Sequence, residues 1–188
     1  MIMSTEQPAY ETIKRDGDYE VRRYNGYILA QIDVKSDFDD ALYQGFRALF
    51  DYITGHNKAR SKIPMTVPVA EEVRGGSESI PMTAPVTAET TGEGIYRISF
   101  VMPGRYTLDT LPWPDNKDIH FREVGDHNSA IIQFSGHSHE SRVREKTRQL
   151  EDWMLANDLV PKSGFRLARY DPPWVPGFMR RNEVMVDL

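Results

Sequence analysis

The sequence predicts an α+β fold: a curved, distorted antiparallel β-barrel of two pseudo-symmetric half-repeats, carrying two long helices. Three observations lead there. Residues 38–53 place apolar side chains at helical spacing, a second helical stretch follows about a hundred residues later, and strand-like alternation precedes each of them. The 188 residues suit a single domain, taken as 10–188 behind a disordered N-terminus 1–9, with half-repeats of about 10–102 and 119–188.

Residues 19–34, YEVRRYNGYILAQIDV, set Asn25 and Gly26 between two runs, and Ile28, Ala30, Ile32 and Val34 alternate along the second. This pattern reads as a β-hairpin turned at Asn-Gly. From Ser36 onward, Phe38, Ala41, Leu42, Gly45, Phe46, Leu49, Phe50 and Ile53 follow the i, i+3, i+4 rule of an amphipathic helix. Ser36 suits its N-cap, Asp37, Asp39 and Asp40 suit the positive end of its dipole, and Gly55 is placed to stop it. The second half repeats the grammar with IHFREV (119–124), a GDHNS turn, AIIQFSG (130–136) and a helix from about Ser138 to Ala156. Shifting the first helix forward by about 101 positions superposes Leu42 on Val143, Leu49 on Leu150, Tyr52 on Trp153 and Ile53 on Met154. Further strands are expected at Met65–Val73, Ile95–Met102, Phe165–Tyr170 and Glu183–Leu188, with loops at 74–79 and 90–94. The proline-bearing segment 103–118 reads as an ordered, strand-poor crossover.

Composition removes whole classes of function. With no cysteine, disulfides, thiolate metal sites and cysteine nucleophiles are excluded. Lys plus Arg number 23 against 28 Asp plus Glu, a formal charge of −5 that lacks the basic footprint of a nucleic-acid binder, so no nucleic acid is expected as partner. No apolar run approaches the roughly 18 to 20 residues of a membrane span, and a cytoplasmic location is expected. The motifs GxSxG, HExxH, GxGxxG and the P-loop are all absent, so the expectation is a protein without catalysis and with no catalytic residues.

Two segments point to binding instead. The near-duplicates IPMTVPV (63–69) and IPMTAPV (80–86) carry prolines that suit an edge or bulged strand. They serve either a structural purpose or, through Met65 and Met82, an adaptable apolar wall. The run YDPPWVPGFMRRNEV (170–184) puts Tyr170, Trp174, Phe178 and Met179 on a stretch that Pro172, Pro173 and Pro176 keep out of regular structure. Those side chains either cap the core or form the lip of a ligand pocket. Arg180 and Arg181 suit bidentate contact with a carboxylate or plain solubilising charge. Glu183 reads either as counter-charge for a cationic ligand or as an acceptor tying down the loop. His56 is a haem ligand or a turn residue, while His137 and His139 form a pair with no evident third metal ligand.

Several of these stretches occur together, in order, in one known family. YEVRRY (19–24), FRALFDYITGHN (46–57), KIPMTVPV and SIPMTAPV, FVMP (100–103), IIQFSG (131–136) and YDPPWVPGFMRRNEV (170–184) resemble the SOUL haem-binding family over about residues 9–188. The resemblance implies a fold like that of gyrase-inhibitor-like effector-binding domains. It also implies binding, buffering or transport of haem or a related planar tetrapyrrole, without catalysis, in an apolar groove between the first helix and the loop before the last strand. Carried onto this chain, the groove is formed by Tyr43, Phe46 and Phe50, with Ala48 nearby, and by Trp174, Val175, Phe178 and Met179; Arg180 or Arg181 anchors the propionates. Where some members have a proposed axial histidine this chain has Arg23, and basic positions of haem-binding relatives read Tyr43, Asp51 and Val175. The wider fold implies an alternative, the sensing or sequestration of cationic aromatic molecules with Glu183 as counter-charge, and hydrolase activity after that.

Overall fold

A computed structural model describes residues 5–60 and 76–188. The copy IPMTVPV, the expected strand Met65–Val73 and the start of the 74–79 loop lie outside these residues. Eleven strands and two helices follow in the order β1 (Tyr10–Asp16), β2 (Tyr19–Tyr24), β3 (Tyr27–Lys35), α1 (Phe38–Ile53), β4 (Asn57–Lys58), β5 (Val86–Gly92) and β6 (Ile95–Val101). They continue as β7 (Trp113–Pro114), β8 (His120–Val124), β9 (His127–Ser135), α2 (Glu140–Ala156), β10 (Arg166–Arg169) and β11 (Arg181–Asp187). Nine strands make one antiparallel sheet, a curled half-barrel of order β1-β2-β9-β11-β10-β5-β6-β3-β8, while β4 and β7 pair separately.

Apart from β1, that order is a palindrome about the β10–β5 contact. β2, β9, β11 and β10 on one side match β8, β3, β6 and β5 on the other, which is the two-half architecture expected from the repeated pattern. The expected hairpin at Asn25-Gly26 does not form. β2 pairs with β1 and β9, and β3 pairs with β6 and β8, so the two strands flanking the turn join different halves. A primed hairpin turn needs positive φ, and neither Asn25 nor Gly26 adopts it. Gly26 is instead stitched to the equivalent connection of the other half, its amide donating to Asp126 Oδ1 at 2.8 Å. The true hairpins are β1–β2 and β5–β6, whose turns contain Gly17 and Gly94 in positive φ.

Both helices lie on one face of the sheet, α1 over β3 and β6, α2 over β9 and β11. The pseudo-equivalent pairs Leu49 and Leu150, Tyr52 and Trp153, Ile53 and Met154 are all buried in one core with Ile98, Phe100, Ile132, Leu167, Val184 and Val186. Each helix also ties its large ring to a neighbouring element: Tyr52 Oη donates to the Pro112 carbonyl at 2.9 Å and Trp153 Nε1 to Asp16 Oδ2 at 2.8 Å. The N-cap of α1 is Asp37 and not Ser36, and Gly55 follows the C-cap with φ of 124°. The second proline-rich copy is not an edge strand. It leads into β5, a strand paired on both sides, with Thr83 forming an isolated bridge to Glu6. Of the residues expected to be disordered, 1–4 lie outside the described set. Glu6 is held on both its carbonyl and its side chain, by the amides of Ala84 (2.9 Å) and Gly104 (2.7 Å).

Gly45 sets how closely α1 approaches the sheet. A Cβ built there would fall 2.3 Å from Ile98 Cγ1 and 2.6 Å from its Cβ. Gly45→Ala therefore destabilises by about 1 to 3 kcal/mol through overpacking, outweighing a gain in helix propensity of roughly 1 kcal/mol. Urea denaturation of a double-mutant cycle checks this: the cost shrinks, without vanishing, when Ile98→Ala removes the Cγ atoms and leaves the Cβ, and an equal cost in both backgrounds would contradict the steric assignment.

Candidate functional site

Along α1 the apolar positions divide into two sets. Phe38, Ala41, Leu42, Gly45, Leu49, Tyr52 and Ile53 face the core, whereas Phe46, Phe50 and Tyr43 stand on the outer flank, Tyr43 with 65% of its surface exposed. Phe46 and Phe50 stack on each other at 5.7 Å, and Phe46 rests on Phe100 of β6 at 5.4 Å. Beside Tyr43 runs a cleft of about 560 Å³ lined by Gln44, Arg47, Ala48, Asp51 and His56, among others. Arg47 lies one helical turn beyond Tyr43 and makes no ion pair among the described residues, so it is a free cation at the margin of the aromatic stripe. The sequence reading passed over it because a single exposed arginine on a helix has no distinguishing pattern. His56 Nδ1 lies 3.2 Å from the Asp51 carbonyl. A proton on Nδ1 would complete that contact and leave Nε2 a lone pair.

The loop 170–180 is built inside out. Its polar groups turn inward: Arg180 donates through Nε to the Val175 carbonyl (2.8 Å) and through Nη2 to the Pro173 carbonyl (2.5 Å), and the Arg181 amide donates to Asp171 Oδ2 (2.6 Å). A 3-10 turn at Gly177–Met179 packs against His137, whose Nε2 would sit 2.9 Å from a Cβ at Gly177; His137 stacks on His139 at 5.5 Å. The apolar side chains face water, with Trp174 82%, Phe178 79% and Met179 63% exposed. They do not cap the core.

Register places the loop near α1. Phe46 covers Phe100, Phe100 pairs with Val86, Val86 pairs with Arg169, and the loop starts at the next residue, Tyr170. Two strand spacings, about 10 Å, separate the backbone of Phe100 from that of Arg169, the residue before the loop. Phe46 and the start of the loop thus lie toward the same end of the sheet.

Arg181 and Glu183 do not belong to that surface. Val184 and Val186 point into the helix-covered core, so by alternation Arg181, Glu183 and Met185 point to the opposite face. There Glu183, fully buried, accepts from Arg22 Nη1 (3.0 Å) and Nη2 (2.8 Å), from Arg181 Nη2 (2.8 Å) and from Tyr170 Oη (2.6 Å). Arg22 also donates to Glu20 (2.5 Å) and Tyr24 (3.0 Å), and Tyr10 lies over its guanidinium at 4.3 Å. Burial alone would push the Glu183 carboxyl up, but the hydrogen bonds and charges of Arg22 and Arg181, with Tyr170, outweigh it and hold the group below its ordinary value. Burial drives Tyr24 the other way, to about 12. Both carboxylate oxygens of Glu183 are filled from within, and neither Arg180 nor Arg181 is free. Arg23, at the position where the resemblance implied an axial histidine in some members, is exposed on β2, with Glu11 3.9 Å away. Among the described residues no cluster of three His, Asp or Glu side chains could hold a metal ion, and no helix is long and apolar enough to cross a membrane.

A curled antiparallel half-barrel of two matched halves with two helices on one face defines the class, an α+β protein built on a duplicated unit. The model of the family described as SOUL heme-binding protein matches residues 5–187, and the chain belongs to that family. It is 28% identical over 170 residues to "Heme-binding protein 2" of Homo sapiens, covering 89% of this chain and 77% of that protein. The mouse protein of the same name is 27% identical over 164 residues, with 84% and 72% covered. Among solved structures the C-terminal domain of EcmrR superposes with a TM-score of 0.61 at 12% identity, covering 95% of this chain and 96% of that one. A hydrolase from Listeria innocua gives 0.59 at 11%, with 93% of each chain covered. At such identities these two establish the fold alone.

The buried carboxylate network generates a stability prediction. A carboxyl held below its ordinary value, as Glu183 and Asp187 both are, contributes stability that is present above about pH 4 to 4.5 and is lost as pH falls through the folded value. Glu183→Gln removes the shared carboxylate from Arg22 and Arg181, leaves Arg22 with Glu20 alone, and costs about 3 kcal/mol at neutral pH, the low end for breaking a buried pair. Its stability then falls less steeply than that of the wild type below about pH 4.5, and urea midpoints measured from neutral pH down to about pH 2 check both effects.

Proposed function

We propose that the chain binds haem or a related tetrapyrrole across the gap between the outer flank of α1 and the loop 170–180, and carries or buffers it without turnover. The observation that carries this reading is the loop itself, whose polar groups are satisfied internally while Trp174, Phe178 and Met179 are presented to water. Large apolar groups held outward on an ordered loop are a binding surface rather than a folding element. Covering each of them recovers roughly 1.5 to 3 kcal/mol. Phe46 and Phe50 provide the facing rings, and a macrocycle lying between the two surfaces meets apolar groups on both faces. Arg47 is the cation at hand for a propionate, since Arg180 and Arg181 are engaged within the protein. His56, beside Tyr43 and Arg47, is a nitrogen donor on the α1 side, and His137, packed against Gly177, is one on the loop side.

The names of the relatives and the family support the same ligand class. A role for Glu183 as counter-charge to a cationic ligand would require that ligand to displace Arg22 or Arg181 from a buried carboxylate, and the carrier reading makes no such demand. The same holds against hydrolysis, for which the surface offers no nucleophile and base in contact.

Haemin titration with the Soret band and tryptophan fluorescence as readouts tests the proposal. A saturable Soret shift with quenching is expected. Trp174→Ala with Phe178→Ala weakens binding at least about tenfold, and Arg47→Glu weakens it by a smaller factor. No Soret shift in the wild type, or undiminished affinity in the double variant, would overturn it.

A further inference from the structure

Because α1 lies over β3 and β6 and α2 over β9 and β11, the central pair β5–β10 has a gap above it on the helix-covered face. The gap is a groove of about 570 Å³, within the usual range of small-molecule sites. Its floor is Ala88 and Leu167, which are register partners across the pseudo-two-fold, and its walls are Phe38, Tyr96, Val143 and Phe165. Glu89 and Arg166 border it, but alternation turns their side chains to the other face, where Arg166 donates to Asp187 at 2.6 Å. Three charged side chains remain, Glu140, Arg144 and Arg148. Glu140 and Arg144 pair with each other one turn apart. Arg148, a further turn along α2, makes no ion pair among the described residues. Tyr96 meets Phe38 edge-on at 5.5 Å, and its hydroxyl makes no side-chain hydrogen bond among the described residues.

The groove is thus an apolar trough with a net positive mouth. A neutral apolar ligand would leave Arg148 unanswered, and a cation would be repelled by it. We propose that the groove is a second binding site, for a fatty carboxylate: the hydrocarbon chain lies on Phe38, Ala88, Val143, Phe165 and Leu167, and the carboxylate pairs with Arg148, with the Tyr96 hydroxyl as a further donor. Neither Phe46, Phe50 nor the loop 170–180 lines this groove, so the site is independent of the tetrapyrrole surface.

Laurate, dodecanol and dodecylamine, each below its micellar concentration, are titrated into the full chain at neutral pH, with amide NMR shifts to locate binding and calorimetry to measure it. Laurate is expected to bind saturably and to shift residues 88–90, 143–148 and 165–167, with dodecanol about tenfold weaker and dodecylamine weaker still. Arg148→Glu weakens laurate at least about tenfold and leaves dodecanol unchanged. The Trp174→Ala, Phe178→Ala variant retains laurate binding, which separates this site from the haemin surface. Equal binding of laurate and dodecanol by the wild type, laurate affinity retained in Arg148→Glu, shifts confined to other residues, or no laurate binding at all would each overturn the proposal.

Discussion

The pair Arg22–Glu183 holds the architecture in its particular form. Arg22 is on β2 and Glu183 on β11, with β9 between them, and their side chains meet on the face away from the helices. β2 belongs by sequence to the first half but is seated in the second. Only that seat brings its guanidinium to this carboxylate. Had β2 folded back on β3, Arg22 would keep only Glu20 of its own strand and Glu183 only Arg181 and Tyr170, and the bidentate contact between them would be lost. The buried pair therefore discriminates between the exchanged arrangement and the local hairpin that the turn sequence alone favours. It selects a topology more than it adds stability, because desolvation offsets much of its attraction.

The same carboxylate steadies the loop of the proposed binding surface. Tyr170 opens the loop and Arg181 closes it, and both donate to Glu183. The stems of the loop are thereby fixed on one face of the sheet while Arg180 binds the carbonyls within it. Trp174, Phe178 and Met179 are thus carried on a backbone tied at both stems and across its middle. A ligand that covers them then meets a smaller ordering cost than it would on a mobile segment.

How much of this was legible in the sequence depended on which interactions are local. The helices follow from the spacing of Leu42, Leu49 and Ile53, and of Leu150, Trp153 and Met154, and they came out within a few residues of expectation. The faces of the strands were equally plain, but their partners were not. Alternation records which side of Ile28 or Ala30 is buried and not which strand lies beside it, so the exchange at Asn25-Gly26 was invisible. In α1 the helical rule gathered Phe46 and Phe50 with Leu49 because a stripe of that width includes its own exposed margin. The loop at 170–180 was recognisable as apolar and stiffened by proline. That Arg180 faces inward and Trp174 outward is decided by carbonyls at Pro173 and Val175 that no side-chain pattern encodes. Glu183 reads from the sequence as an acceptor tying down the loop, and it accepts from Tyr170 and Arg181 at the loop's two ends, but also from Arg22, 161 positions away, which no local pattern announces.

Duplication also accounts for where ligands have room. Each half covers its own outer strands with its own helix, and neither helix reaches the seam where β5 meets β10, so a trough at the pseudo-axis follows from the symmetry itself. The outer faces of the two helices have nevertheless diverged in chemistry. Tyr43, Phe46 and Phe50 of α1 correspond by the repeat to Arg144, Thr147 and Glu151 of α2, an aromatic flank against a charged one. Arg47 corresponds to Arg148, and both stand without an ion pair among the described residues. One repeat position thus supplies a free guanidinium to each half. In the first it borders exposed rings suited to a flat macrocycle, and in the second it overlooks an apolar trough suited to a chain.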